Sequence, residues 1–433
     1  MFKGFGKMTK NRIFIFEYIS GGGFNKMAIP LSLFSEGFGM LKVSIQDFKS
    51  LGFEVKTILD YRISSLASQL DCDIMKEITG KMDFTPEFKK SIVDCEYVFI
   101  IAPEFSGILY NLTQIAKRMG KKLLSMDLEP ILQGSSKTKT YNLFTRFSIP
   151  TPHTFYFKKN DGTVKVEQAL KHSGLLKTPL IVKPDDGVGA ESIYYFETRE
   201  QFDNFITNEM DLLDPNRDYI VQEFISGSDL SASIIKREKE PPIILAINAQ
   251  NIILEENEIK YIGGITPAEN AGDIKYIIES YLNNLDLTQF KGFFGIDFIK
   301  KLDHSLSFIE INPRLTTSYI GVRNITKNNP FLLLIYPEVD PSEILDPNSK
   351  WISEFFHLNL KYTGDEKDLS LGNEISEKIP QIIVPPLPLN PSISNVKEFT
   401  CFAATKAESL KSARKQKKKI IKDLEKFNFH SFI

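Results

Sequence analysis

Apolar residues in the first 130 positions fall into short runs separated by longer stretches with helical spacing. Arg12 to Glu17 is almost continuously apolar, and Ile29 to Leu51 repeats apolar residues at intervals of three and four. Phe53 to Leu59 and Tyr97 to Ala102 are again short runs, followed by an apolar-periodic stretch to Met119 and a short run at Lys122 to Ser125. The short runs predict buried strands and the periodic stretches predict amphipathic helices. Their alternation predicts a parallel sheet with helices on both faces, whose ligands sit at the carboxyl ends of the strands. Two segments emerge there, Glu17-Tyr18-Ile19-Ser20-Gly21-Gly22-Gly23 and Pro103-Glu104-Phe105-Ser106-Gly107. The glycine run either lets backbone approach a ligand closely or forms a flexible turn, and Ser106 is placed to cap the following helix. On the first reading Ser20, Gly21 and Gly22 are candidate substrate contacts. The loop lacks GxGxxG, so no dinucleotide cofactor is inferred.

Further along, the pattern changes to hairpins. Ile181-Val182-Lys183 leads into Pro184-Asp185-Asp186-Gly187-Val188-Gly189-Ala190 and then a second short strand, Ser192 to Phe196. Tyr219 to Ile225 is another apolar strand, and Pro241-Pro242 predicts a turn between strands ending near Lys236 and starting at Ile243. Phe293 to Ile299 and Ser307 to Asn312 alternate on either side of the polar tip Lys301-Leu302-Asp303-His304, the signature of a hairpin. Thr363 to Pro391, with five prolines after Lys378, is expected to be an irregular surface wrap. Phe399 to Ala403 predicts a strand, and Ala407 to Phe427 an amphipathic helix whose Lys415–Lys419 run faces solvent.

Composition narrows the class. At 433 residues with 42% apolar content the chain has material for about three packed domains. A net charge of −2 supplies no field to collect nucleic acid or an anionic membrane, and no apolar run approaches a bilayer span. The Met1–Gly6 start is too short in apolar residues for a signal peptide, so a cytoplasmic location is expected. Cys72, Cys95 and Cys401 lie far apart without CxxC spacing, which points to free thiols rather than a disulfide frame or zinc site.

The hairpin positions carry the chemistry. Lys183 ends a strand directly before a glycine turn, where backbone N–H groups and an ammonium can close over phosphate. It is not a Walker A site, because no Gly-Lys-Ser/Thr precedes a helix. A purine edge can pair with strand backbone at Gln222-Glu223-Phe224, and Asp229 can accept ribose hydroxyls. Asp297, Glu310 and Asn312 should share one face of their hairpin, giving hard oxygen ligands suited to Mg²⁺. A structural salt bridge to Arg314 or a lysine is the plainer alternative.

Taken in this order, the motifs resemble those of ATP-grasp enzymes. The matching positions are Lys183 with the flap Asp186 to Ala190, the strand through Glu223, Asp229, and Asp297 with Glu310-x-Asn312-Pro313-Arg314. In that family a first lysine opens a helix in a Lys-x-x-Thr setting, which Lys137 and Thr140 supply, with Lys139 as the competitor. Asp229 replaces the more usual Glu. The resemblance implies an α/β chain: a parallel-sheet pre-ATP-grasp domain over 1–127, then an ATP-grasp core of two α+β subdomains over 128–330, with its flap at about 150–225. Residues 331–433 would complete it. It implies ATP held by Lys137, Lys183, Asp186, Gly187, Gly189, Gln222, Glu223, Phe224 and Asp229. Mg²⁺ or Mn²⁺ would lie on Asp297, Glu310 and Asn312. Arg314 and Lys183 would be catalytic, with Asn248 facing the phosphates and Thr316, Thr317 and Ser318 binding the carboxylate substrate. Small-molecule carboxylate and amine substrates are the expected partners, and a homodimer is left open. Glu17 to Gly23 together with Asn312 to Ser318 resemble the archaeal-type tyramine–L-glutamate ligase group. A D-alanine-type ligase, a carboxylase and a non-catalytic ATP- or ADP-binding module remain alternatives.

Overall fold

The computed structural model describes residues 11–159, 166, 177–187, 192–255, 258–364, 371–388 and 398–432. Strands β1 (Arg12–Glu17), β2 (Glu54–Asp60), β3 (Ile74–Ile78), β4 (Tyr97–Ile101) and β5 (Lys122–Leu123) form a parallel sheet in the order β3-β2-β1-β4-β5. The continuous apolar run of β1 has the reason expected of it, because both faces are covered. Ile13 and Ile15 pack with Phe34 and Phe38 of helix α1 (Leu31–Ser50), while Phe14 and Phe16 pack with Phe88 of α2 (Phe84–Ile92) and Leu109 of α3 (Ile108–Arg118). Strand β3 is the one element of this sheet not foreseen; its Met-Lys-Glu centre carries no apolar run.

Helices α4 (Leu128–Gly134) and α5 (Lys137–Arg146) lead into a flap sheet of β6 (Thr154–Lys158), β7 (Leu180–Pro184), β8 (Tyr194–Phe196) and β9 (Asp218–Glu223). The core sheet follows, with β10 (Ser228–Lys236), β11 (Ile243–Glu255), β12 (Glu258–Thr266), β13 (Gly292–Lys300) and β14 (Leu306–Asn312). All its pairings are antiparallel, in the order β14-β13-β10-β11-β12, and β12 meets β8 through the Glu258–Tyr194 pair, so flap and core form one sheet. Beyond β12 lie β15 (Ser353–Tyr362), β16 (Ile382–Pro388), β17 (Glu398–Ala404) and β18 (Phe429–Ser431). Among the described residues no helix is long and apolar enough to cross a membrane.

Three expectations are corrected. The stretch Thr363 to Pro391 is not an irregular wrap where it is described: Leu371–Lys378 is helical, and Pro385, Pro386 and Pro388 lie in β16. Prolines are tolerated there because, among the described residues, β16 pairs on one side alone, with β17, and through a shifted register. Ser106 does not cap α3; it sits in the left-handed region at φ 54°, and the N-cap is Gly107. In the C-terminal helix Leu410–Glu425, Lys417 folds inward onto Glu354 at 2.9 Å and over the Phe356 ring.

The N-terminal sheet is locked to the core through α1. Asp47, 6% exposed, accepts hydrogen bonds from Tyr319 Oη at 2.7 Å and from Arg323 Nε and Nη2 at 3.0 and 2.7 Å. Beside it Phe48 stacks on Phe331 with centroids 4.6 Å apart, and Phe331 stacks in turn on Tyr319 at 4.7 Å. Tyr319 opens the helix Tyr319–Ile325 directly after the Arg314–Ser318 segment, so the lock also sets that segment. Removing one partner of a buried charge pair leaves the other unpaired, at a cost of about 3–5 kcal/mol. Asp47→Ala should lower stability by roughly that amount, read as a reduced urea midpoint.

Candidate active site

A cavity of about 470 Å³ opens between the flap and core sheets. Its apolar wall comes from Ile181, Tyr195, Phe224 and Ile225 of the flap and from Phe298, Ile299 and Ile309 of the core. Charged groups line the rest, among them two lysines facing a carboxylate pair.

The two lysines come from the flap side. Lys137 is the first residue of α5, whose start is fixed twice: Ser136 Oγ accepts from Lys139 N at 3.1 Å, and Asp185 accepts from Thr138 N and Oγ1 at 2.8 and 2.6 Å. This anchors the helix to the β7 turn and points Lys137 Nζ at the Gly187 carbonyl, 2.7 Å away, and at Glu310 Oε2, 3.3 Å away. Lys139 is exposed, and Thr140 Oγ1 donates to the Gln133 carbonyl, so of the two lysines it is Lys137 that reaches the cavity. Lys183 is 5% exposed, and its ammonium is pushed down to about 8, first by burial and then by Lys137, against the pull of Glu310 and Asp297.

The carboxylates come from the core hairpin. Asp297 of β13 stands directly opposite Glu310 of β14, with Asn312 opposite Gly295 on the same face. Asp297 accepts from Gln250 Nε2 at 3.0 Å and from Asn312 Nδ2 at 2.9 Å. Burial and then the Glu310 charge push the Asp297 carboxyl up. Burial also acts to raise Glu310, but the ammonium groups of Lys137 and Lys183 outweigh it and hold it down. A buried carboxylate pair in which one member resists ionising is under-neutralised, and a divalent cation is the group that would relieve it. Two carboxylates and an amide facing a cavity shared with two lysines therefore fit a cation bound together with phosphate oxygens.

Arg314, in the segment after β14, also lines the cavity, with its Nε 2.9 Å from Glu104 Oε1 and Nη1 donating to the Leu315 carbonyl at 3.2 Å. Thr316, Thr317 and Ser318 line it too. Thr316 Oγ1 lies 2.8 Å from Ser318 Oγ, and Thr317 Oγ1 donates to Glu36. Gln222, Glu223, Phe224 and Asp229 lie on the wall, and burial pushes the Asp229 carboxyl up. Strand β9, however, is interior: β6 and β7 flank it, and the Glu223 and Phe224 N–H groups already donate to His153 and Pro179 carbonyls. A purine edge would find backbone only past Phe224.

Other candidates fall elsewhere. Ser20, Gly21 and Gly22 are not at the cavity. Ser20 is fully buried, donating from N and Oγ to Glu17 at 2.7 and 2.5 Å, and Gly22 takes φ 85° against Ile78. The glycines there serve close packing. Burial pushes the Glu17 carboxyl up to about 7 against the hydrogen bonds from Ser20 and Ile19. Asp186 is bound by Arg217 at 3.0 Å and by the Ser106 N–H at 3.0 Å, tying the flap turn to the N-terminal sheet. Asn248 lines the cavity but donates to Ser231 and Ser233 and accepts from Thr266 Oγ1 at 2.7 Å. Gly189 lies outside the described residues. Gln250, Glu36 and Tyr261 escaped the sequence reading, whereas Glu104 lies in a segment placed at the ligand end of the N-terminal sheet. Gln250 had a signal, since Asn248 and Gln250 share one strand face; Glu36 and Tyr261 are single residues without a local pattern.

Two sheets clasping a cavity, with lysines on one side and a carboxylate hairpin on the other, define an ATP-grasp architecture. Residues 134–318 match the ATP-grasp domain family, and residues 53–131 match the pre ATP-grasp 3 domain family. The chain is 26% identical over 333 residues to the tyramine–L-glutamate ligase of Methanocaldococcus jannaschii, an alignment covering 75% of this chain and 88% of that one. The crystal structure of L-amino acid ligase from Bacillus licheniformis is similar at a TM-score of 0.62 and 13% identity, covering 99% of both chains. The biotin carboxylase domain of Hydrogenobacter thermophilus 2-oxoglutarate carboxylase, a dimer solved with MgADP, ADP and bicarbonate, is similar at a TM-score of 0.67 and 12% identity, covering 98% of this chain and 91% of that one. The chain thus carries an ATP-grasp domain preceded by a pre-ATP-grasp domain, the arrangement of ADP-forming ligases that make carbon–nitrogen bonds.

The depressed Lys183 ammonium has a sign that can be checked. The folded state binds fewer protons than the unfolded one between about pH 8 and the ordinary lysine value of 10.5, so stability rises with pH across that window, and below it the buried charge opposes folding. Lys183→Met, of similar length and uncharged, should therefore raise the melting temperature of the ligand-free protein at pH 7 while abolishing the stabilisation by ATP. For the wild type that stabilisation is about 2.7 kcal/mol at a hundredfold excess over Kd. Differential scanning fluorimetry with and without nucleotide measures both.

Proposed function

We propose that the protein activates a carboxylate substrate as an acyl phosphate at the expense of ATP and joins it to an amine, with L-glutamate as the carboxylate and an aromatic amine such as tyramine as the acceptor. The observation that carries the reaction is the facing of opposite charges across one cavity: Lys137, 3.3 Å from Glu310, and the buried Lys183 stand opposite the Asp297–Glu310 pair. Phosphate oxygens with a divalent cation would satisfy both sides at once. The substrates rest on the tyramine–L-glutamate ligase relative, which aligns over most of both chains.

The residues then divide the work. Lys137 and Lys183 hold the phosphate oxygens, and Gly187 keeps the flap turn against Lys137. Asp229 and the backbone past Phe224 take the nucleoside, with Ile181, Phe224 and Ile225 excluding water around the base. Asp297, Glu310 and Asn312 would hold Mg²⁺, or Mn²⁺, whose contribution when bound is neutralisation of phosphate charge. Arg314 and Thr316–Ser318 orient the substrate carboxylate toward the γ-phosphorus. Alignment and charge neutralisation are most of what phosphoryl transfer requires, so no side-chain nucleophile enters.

ADP release should require Mg·ATP, L-glutamate and tyramine together and yield a product of amide mass. Glu310→Ala should lower that turnover more than about 100-fold, beyond what loss of a residue merely supporting a metal ligand costs. Tight nucleotide binding without ADP release for any carboxylate would identify a binding module instead.

A further inference from the structure

Glu36, on α1 of the N-terminal domain, lines the cavity, and its charge acts on Arg314 after that of Glu104. Its two oxygens are held separately. Thr317 Oγ1 donates to Oε2, and His357 Nε2 lies 3.2 Å from Oε1. His357 is oriented from behind, with Nδ1 3.2 Å from the buried Ser35 Oγ and its ring edge-on to Phe402 at 4.8 Å. Three elements far apart in sequence thus fix one carboxylate. Of the other acids nearby, Glu310 lies against Lys137 and Glu104 holds Arg314, while Asp297 accepts from the Gln250 and Asn312 amides. Among the described residues no lysine or arginine lies within ion-pair distance of Glu36. Each of its oxygens keeps a further acceptor position. Tyr261 and Phe355 line the same part of the cavity, and the Tyr261 hydroxyl is raised well above its ordinary value, first by burial and then by the charges of Glu36 and Asp297. A fixed carboxylate beside aromatic faces, in a cavity that otherwise collects anions, is a site for a cation.

We propose that Glu36 recognises the amine substrate, binding it as an ammonium between its carboxylate and the Tyr261 and Phe355 rings, with His357 and Thr317 as positioning residues. This rests on the ligase reading above and assigns the acceptor half of it. For reaction, the ammonium gives one proton to the Glu36 carboxylate, and the freed nitrogen lone pair attacks the acyl carbon. The carbon–oxygen bond to phosphate breaks, phosphate departs with the bonding pair, and the second N–H proton goes to phosphate.

Hydroxylamine separates the two halves, because it is largely uncharged at neutral pH and traps an acyl phosphate as the hydroxamate. With L-glutamate and Mg·ATP, wild type should form amide from tyramine and hydroxamate from hydroxylamine. In Glu36→Gln the ratio of amide to hydroxamate should fall about tenfold or more, and KM for tyramine should rise in step, the loss expected for a hydrogen bond to a charged group. KM for ATP and for L-glutamate should stay near the wild-type values. His357→Gln should raise KM for tyramine by less, without moving KM for ATP. If Glu36→Gln does not fold, Glu36→Asp, which keeps the charge on a shorter arm, is read in the same way. Equal loss of amide and hydroxamate, or a raised KM for L-glutamate alone, would overturn the assignment. A wild type that gives neither ADP nor hydroxamate with any carboxylate would overturn the ligase reading itself.

Discussion

Everything in the cavity is arranged around the meeting of Asp297 and Glu310 across β13 and β14. Two carboxylates face to face in a hairpin of Phe and Ile cannot both ionise without help, and the help comes from a different layer of the molecule. Lys137 reaches Glu310 only because Ser136 and Asp185 fix the start of α5, and Lys183 lies beside it only because β7 is buried on both sides. The hairpin and the flap are therefore coupled electrostatically as well as by the Glu258–Tyr194 pairing. Two ammonium groups and two carboxylates are thus brought to one cavity from separate layers of the fold.

The N-terminal sheet enters the same cavity through α1. One face of that helix packs on β1, while Asp47 and Phe48 grip the helix after the Thr316–Ser318 segment, and Glu36, three turns earlier, looks into the cavity. Gly37 stands next to it because the Glu17 carboxylate occupies the space a side chain would need. Glu17, Glu36, Glu104 and Arg314 consequently form a polar seam between the two domains. The seam converts the packing of a parallel sheet into the positioning of single side chains.

How much of this was legible depended on whether a signal was local. The β1 run, the Phe293–Asn312 hairpin and the start of α5 at Lys137 were readable because period-2 and period-3.6 patterns and a serine cap act over a few residues. The same local logic placed Asp297, Glu310 and Asn312 on one face. It misassigned Ser20–Gly22, because a glycine run permits close packing as readily as close approach to a ligand, and here Ile78 and Glu17 fill the space. It missed Glu36 and His357 because each acquires meaning only from a residue hundreds of positions away or in another domain. Pro385, Pro386 and Pro388 misled in the opposite direction, since a local breaker signal was overridden by a strand that uses only one edge.

That last strand carries a consequence for how the protein meets others. A strand paired on one side leaves N–H and C=O groups on which another chain can add, and at β16 one of these, the Ile383 carbonyl, accepts from Lys42 Nζ at 2.9 Å. At β16 three of the seven residues have no N–H to offer, and the register against β17 shifts twice along its length. The outer side of β16 is thereby made a poor template for strand addition by another chain.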